Sequence, residues 1–535
     1  MTIVPSCGTQ LMHLLRAYGV DTVFGMPGVH TLEAYRGIEA AGIRHVGVRH
    51  EQGAGFMADG YARISGKPGV CLLISGPGVT NAATPIGQAY SDSQPMLVLS
   101  SVAATEDLGM GRGRLHEITD QARVTEPLTA FSAVAHSPAQ LRELVARAFA
   151  VFASQRPRPV HISIPLDVLK MPDPAAPRRR QVPAAARPDP AAVEAAAGLL
   201  RGARRPLIIA GGGSIGAAAE IVALAEAIGA AVIPTIAAKG VIPDAHPLAL
   251  EATLERPLTQ AFVEAADVVL AIGTELAEPD LWREGPLALG GRLIRIDLDP
   301  AALTRDYDVD VPILGDARSA VAMIRAALGP TEAGHGFHGT AEIAAQRARE
   351  RATLTPLERK HLAVLDALRR ALPPEGVVFA DMTQIVYTGY CYYPCPAPKR
   401  WIFPAGYGTL GFALPAAIGG QIAAPGQPTV ALVGDGGFLF TLQELGTAVE
   451  LKLPLAVVLW NNDSLAQIRD GMTARGIPTI GVNQRNPDYL KLAEAFGCRT
   501  ARPDGLAAFE HSLAEAFATE GPTVIELRED ASFLP

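Results

Sequence analysis

A chain of 535 residues is too long for one hydrophobic core and asks for two to four domains. Hydrophobic residues make up 49% and charged residues 19%, which excludes a disordered or fibrous chain. A net charge of −8 gives no basic footprint, so no nucleic-acid partner is expected.

The chain opens on Met1-Thr2-Ile3-Val4-Pro5, without the basic and apolar regions of a secretory leader, so the expected location is cytoplasmic. Short β-rich segments then alternate with helical patterns, as in parallel α/β sheets. In a first block, residues 1–175, strands are expected at 22–24, 45–48, 70–74, 96–100 and 160–164, with helices at 8–18, 51–65 and 81–91. A Pro-, Arg- and Ala-rich stretch at 171–190 suits an exposed connection. A second block, residues 191–335, opens with a helix and carries strands at 206–210, 231–234, 268–272 and 293–297. A polar, helical connection at about 336–360 leads into a third block, residues 355–535, with strands at 377–380, 429–433, 454–460 and 523–526. Every long apolar stretch is broken by Gly, Pro or charge before about 18 residues, so no membrane span is expected. The fold class expected is α/β, with three doubly wound parallel-sheet domains. Cys391 and Cys395 have the look of half a metal site but lack a second pair, and reduced thiols are expected.

In the third block a strand ends in Gly434-Asp435-Gly436-Gly437-Phe438, and the next strand ends in Asn461-Asn462-Asp463-Ser464. Ligands of open α/β sheets bind outside such strand ends. On neighbouring strands Asp435 and Asn462 would lie roughly 5 Å apart, close enough to share an ion. A carboxylate, an amide oxygen and backbone carbonyls form an oxygen-only set suited to Mg²⁺. The glycines admit a diphosphate, at which a helix starting near Phe438 aims its N–H groups. Each turn alone is ordinary turn chemistry.

Taken together, the Gly-Asp-Gly and Asn-Asn pair resembles the diphosphate-binding motif of thiamine-diphosphate enzymes. The run His50-Glu51-Gln52-Gly53-Ala54-Gly55 resembles the activating-glutamate site of the acetolactate synthase and pyruvate oxidase superfamily. Phe24-Gly25-Met26-Pro27-Gly28 and Ser75-Gly76-Pro77-Gly78-Val79-Thr80-Asn81 look like its pyrimidine-side loops, and Gly406-Tyr407-Gly408-Thr409-Leu410-Gly411 like its cofactor-bending segment. The resemblance spans essentially the whole chain, in the order pyrimidine-binding, central and diphosphate-binding domain.

This resemblance implies thiamine diphosphate and Mg²⁺ as cofactors. Glu51 would hydrogen-bond N1′ of the aminopyrimidine and thereby activate C2 of the thiazolium. Leu410 would hold the cofactor bent, and Pro27, Gly28, Asn81, Thr383, Gly408, Gly434, Gly436 and Gly437 would complete its cradle. Asp435, Asn462 and the carbonyl of Ser464 would hold the metal. Glu51 and the diphosphate site would come from different subunits, implying a homodimer or homotetramer. The implied activity is non-oxidative decarboxylation of a 2-oxo acid to an aldehyde. The alternatives are acetolactate-type carboligation and a flavin-dependent 2-oxo acid oxidase.

Several segments narrow the substrate. The chain has no His-His pair of the kind pyruvate decarboxylases carry. His116, in Leu115-His116-Glu117, stands where acetolactate synthases have Gln, as a proton donor or a substrate contact, or as a loop residue without a role. Gln467, Ile468, Arg469 and Asp470 replace hydrophobic residues; they suit a polar or cationic substrate tail, or face solvent. Residues 9–15, 29–33 and 111–117 look closest to the 5-guanidino-2-oxopentanoate decarboxylase branch. In the second block Gly211-Gly212-Gly213 is by itself a weak sign of a nucleotide. Because residues 252–260 depart from the flavin-contacting pattern, an empty or vestigial pocket is expected there.

Overall fold

The computed structural model describes residues 4–330 and 339–535. Its strands form three sheets in which every pairing is parallel. The first contains β1 (Thr22–Gly25), β2 (Arg44–Gly47), β3 (Gly69–Leu73), β4 (Met96–Val102), β5 (Phe131–Val134) and β6 (Val160–Pro165), in the order β2-β1-β3-β4-β6-β5. The second contains β7 (Pro206–Ala210), β8 (Ala231–Pro234), β9 (Val268–Ile272), β10 (Arg292–Asp297) and β11 (Val311–Leu314), ordered β11-β10-β9-β7-β8. The third contains β12 (Val377–Ala380), β13 (Trp401–Ile402), β14 (Thr429–Gly434), β15 (Leu455–Asn461), β16 (Arg499–Ala501) and β17 (Thr523–Arg528), ordered β13-β12-β14-β15-β17-β16. Interior strands such as β4, β14 and β15 are buried at every position, as strands covered by helices on both faces must be.

Four strands escape the sequence reading: β5, β11, β13 and β16. Each lies at a sheet edge, where half the side chains need not be apolar; β11 alternates buried and exposed along its length. The helix expected at 81–91 is two helices, Pro77–Asn81 and Ala83–Ser91, which meet at Ala82. The helix expected near Phe438 instead starts at Asp435 and ends at Phe438. The expected limits at residues 1 and 335, and the start of the second connection at 336, lie outside the described residues. Among the described residues no helix is long and apolar enough to cross a membrane.

The first and third sheets share one core through helices Glu51–Ser65 and Ala413–Ala423. Glycine permits their contact: a Cβ on Gly60 would lie 2.0 Å from the Ala416 carbonyl, and one on Gly419 1.9 Å from that of Met57. His50 caps the start of helix Glu51–Ser65 by accepting from the Gln52 N–H (3.1 Å), and Gly66, at φ 71°, ends it in the left-handed region. The strand order reverses between β1 and β3 in the first sheet and between β12 and β14 in the third. These switch points open crevices beyond the carboxyl ends of the strands, where α/β sheets bind ligands.

Candidate active site

At the β1/β3 switch point the loops after both strands meet. Gly28 packs so closely on Ile74 that a Cβ would lie 2.2 Å from its Cδ1. Glu51, buried at the start of its helix, accepts a hydrogen bond from Asn81 Nδ2 (3.0 Å). Asn81 ends the short helix Pro77–Asn81, so the Gly76 turn sets where it points. That turn is held by Gln121, whose Oε1 accepts from the Gly76 N–H (2.7 Å) and whose Nε2 donates to the Ser101 carbonyl (2.8 Å).

His116 sits against the same turn, its carbonyl 2.6 Å from where a Gly76 Cβ would stand. Its backbone is left-handed (φ 58°), and Glu117 holds the loop by accepting from the N–H groups of Arg112 (3.2 Å) and Arg114 (2.8 Å). The His30 ring stands edge-on to that of His116, centroids 5.3 Å apart, with Nδ1 2.6 Å from Ser75 Oγ. Burial, then the charge His116 would carry, push the His30 pKa below the ordinary histidine value. The sequence lacks adjacent histidines, yet the fold brings two imidazoles together; only the loop topology could have revealed this.

At the β12/β14 switch point the glycines form a cradle. A Cβ on Gly434 would fall 2.8 Å from Thr383 Oγ1, one on Gly436 2.9 Å from Leu465 Cδ2, and one on Gly437 3.3 Å from the Asp381 carboxyl. Asp381 is fully buried; it accepts from the Met382 N–H (2.8 Å) and the Gly411 N–H (3.0 Å). Burial pushes its carboxyl up to about 6. The Gly411 bond fixes half-buried Leu410, and Gly408, at φ 66°, turns the segment over Met382. The segment is also tied to the first sheet's helix Ala83–Ser91, since Thr409 Oγ1 donates to Gln88 Oε1 (2.9 Å).

Parallel register sets Gly434 opposite Trp460, so Asp435 and Asn462 follow neighbouring strand ends. Asp435 Oδ2 accepts from Asn486 Nδ2 (2.7 Å), and its Oδ1 from the Gly436 N–H (2.9 Å). Burial raises the Asp435 pKa, opposed by hydrogen bonds from Asn486, the Gly436 N–H and the Ser464 N–H. Asn462 Nδ2 donates to Glu529 Oε2 (3.3 Å) and Gln384 Oε1 (3.4 Å), while its Oδ1 is buried without a hydrogen-bond partner. An orphaned amide oxygen beside a buried carboxylate is a fit for a hard cation. Among the described residues no three His, Cys, Asp or Glu cluster as a metal site, which leaves this mixed oxygen set as the candidate. Asn486, Gln384 and Glu529 were missed in the sequence because they reach the site from separate segments, Gln384 from the start of helix Gln384–Tyr392. The cysteines, Cys391 and Cys395 included, are buried free thiols.

Three family models match in succession: the thiamine pyrophosphate enzyme N-terminal TPP-binding domain over 6–124, the central domain over 193–324 and the C-terminal TPP-binding domain over 381–527. The chain belongs to the thiamine pyrophosphate enzyme family. Its cofactor is thiamine diphosphate, and the two switch-point crevices lie within the two TPP-binding domains. A protein of Pseudomonas aeruginosa described as a probable 2-ketoarginine decarboxylase, AruI, is 52% identical, covering 98% of this chain and 94% of its own. Acetolactate synthase of Mycobacterium bovis is 33% identical over 90% of this chain and 81% of its own, and the isozyme 3 large subunit of Escherichia coli is 33% identical over 90% and 86%.

In this thiamine pyrophosphate enzyme the loops that follow β7 and β9, at the central domain's switch point, approach each other closely. A Cβ on Gly211 would lie 2.2 Å from the Gly273 carbonyl, and one on Gly273, at φ 56°, 2.7 Å from Gly213 Cα. The glycine run that hinted at a nucleotide therefore has a packing reason.

Proposed function

We propose that this thiamine diphosphate enzyme is a Mg²⁺-dependent, non-oxidative decarboxylase that converts 5-guanidino-2-oxopentanoate (2-ketoarginine) to an aldehyde and CO₂. The observation that carries the reading is the 52% identity, along nearly the full length of both chains, to a relative described as acting on that 2-oxo acid. When bound, thiamine diphosphate supplies the electron sink for cleavage between C1 and C2 of the 2-oxo acid. Glu51 would hold N1′ of the aminopyrimidine by a hydrogen bond, its carboxyl aimed by Asn81. Asp435, Asn462 Oδ1 and the Ser464 carbonyl would hold Mg²⁺, with Thr383, Gly434, Gly436 and Gly437 leaving room for the diphosphate and Pro27, Gly28, Gly408 and Leu410 shaping the rest of the cradle. His116 delivers the proton that replaces CO₂ on the substrate carbon, and His30 orients its ring.

In this reading the chain works in the cytoplasm as a homodimer or tetramer, with Glu51 of one copy facing the diphosphate cradle of another, and its domains run over 1–175, 191–335 and 355–535. The 33% identity to acetolactate synthases favours carboligation as the second reading. Product analysis separates the two. The holoenzyme given the guanidino acid should release an aldehyde and one CO₂ per turnover; acetolactate from pyruvate, with the guanidino acid untouched, would move the chain to the carboligases.

A further inference from the structure

Between the second and third sheets lies a cavity of about 380 Å³ lined by Glu255, Trp282, Gln384, Tyr387, Tyr390 and Gln467. Gln384 is shared with the metal cradle: its Oε1 takes the Asn462 amide (3.4 Å), so the cavity borders the crevice in which the cofactor would lie. We propose that this cavity binds the guanidinium end of the substrate, with Glu255 as its carboxylate partner and the three aromatic residues as its walls. The proposal rests on the reading of the substrate as a guanidino 2-oxo acid.

Charge favours a cation. The lining carries the carboxylates Glu255 and Glu358 against one guanidinium, Arg256, which is bonded to Glu358 and lies 3.5 Å from Glu255. His361 adds no charge near neutrality, since burial pushes it down to about 4. One negative charge is left over in a half-enclosed space, where it is costly without a partner. Glu255 is held from behind, accepting from Tyr390 OH (2.6 Å) and the Cys391 thiol (3.4 Å), and its side chain is 14% exposed.

Shape favours a planar cation over a compact one. Trp282, 63% exposed, offers an aromatic face for a guanidinium to stack on, and an indole N–H to hydroxyl bond of 3.1 Å locks it to buried Tyr390, which in turn packs on Tyr387. Trp282 keeps a left-handed backbone (φ 43°), a strained conformation for a bulky residue. Gln467 lines this cavity, and Gln384 Nε2 reaches Asp470 Oδ2 (3.1 Å), so these polar residues are part of its wall or tied to it.

The test compares 5-guanidino-2-oxopentanoate with 2-oxopentanoate, which has no tail charge, as substrates of the holoenzyme, and measures calorimetric binding of unreactive 5-guanidinopentanoate. For Glu255→Gln, the preference in kcat/KM for the guanidino acid should fall by about 10²-fold, and binding of the analogue should be lost. Glu255→Asp should recover part of both. Trp282→Ala, at a largely exposed residue, should lower the preference by about 3–30-fold, and it tests the cavity even if the Glu255 variants fail to fold. Turnover of the guanidino acid with its preference unchanged in both Glu255→Gln and Trp282→Ala overturns this proposal alone. Failure of the wild type to turn over the guanidino acid at all overturns the substrate reading, and this proposal with it.

Discussion

Asn462 faces two ways: its amide hydrogens are spent on Gln384 and Glu529, and its oxygen is left buried and unbonded. Asn486 acts one step behind, holding Asp435 Oδ2. Losing such an outer partner typically weakens metal affinity by about 10–100-fold. Asn486→Ala should therefore raise the Mg²⁺ concentration for half activity by that factor after EDTA dialysis; an unchanged requirement would contradict the metal assignment. His116→Ala should slow aldehyde release by about 10²-fold or more, the usual contribution of a positioned proton donor, measured as kcat with cofactor saturating. Gly434, Asp435 and Glu51 were legible in the sequence because each sits in a short contiguous motif. Asn486 and His30 were not, because nothing local marks a side chain that crosses to another loop.

At the scale of elements, the contact between helices Glu51–Ser65 and Ala413–Ala423 packs the first domain on the third within one chain. Gly60→Ala would drive a Cβ into a backbone carbonyl, which cannot swing away. A loss of about 1–3 kcal/mol is expected, read from chemical denaturation. Beside this contact, buried Glu444 accepts from the N–H groups of Arg49 (3.0 Å) and His50 (3.0 Å), which anchors the entry to the Glu51 helix. Burial pushes its carboxyl up from 4.5 to about 7. A raised carboxyl stabilises the fold fully below its unfolded pKa, and that stability is lost as pH rises through the folded value. Relative to wild type, Glu444→Gln should thus gain melting temperature between about pH 4.5 and pH 7. A difference independent of pH would remove Glu444 as the cause. Interior strands and the Glu51 helix were legible from their apolar runs and caps. Edge strands were not: β16 (Arg499–Ala501) is nowhere fully buried, and β13 (Trp401–Ile402) is only two residues long.

For the whole molecule, three parallel α/β domains follow from the alternation of strand and helix patterns; their order came from the family resemblance, and the family models match in that order. How the copies meet is carried by surfaces without periodic signature. If Glu51 and the diphosphate cradle of one site come from two chains, activity per chain should fall on dilution in step with dissociation seen by sedimentation. Activity that survives in a monomer would contradict a shared site. The proposed reaction is cleavage of the C1–C2 bond of a guanidino 2-oxo acid through a cofactor that Glu51 activates. It is tested most directly by ¹⁴CO₂ release from 1-¹⁴C-labelled 5-guanidino-2-oxopentanoate, comparing wild type with Glu51→Gln, both saturated with thiamine diphosphate and Mg²⁺. Wild type should release CO₂ stoichiometrically, and the variant should do so at a rate lower by about 10²-fold or more; equal rates, or no release by either protein, would overturn this reaction.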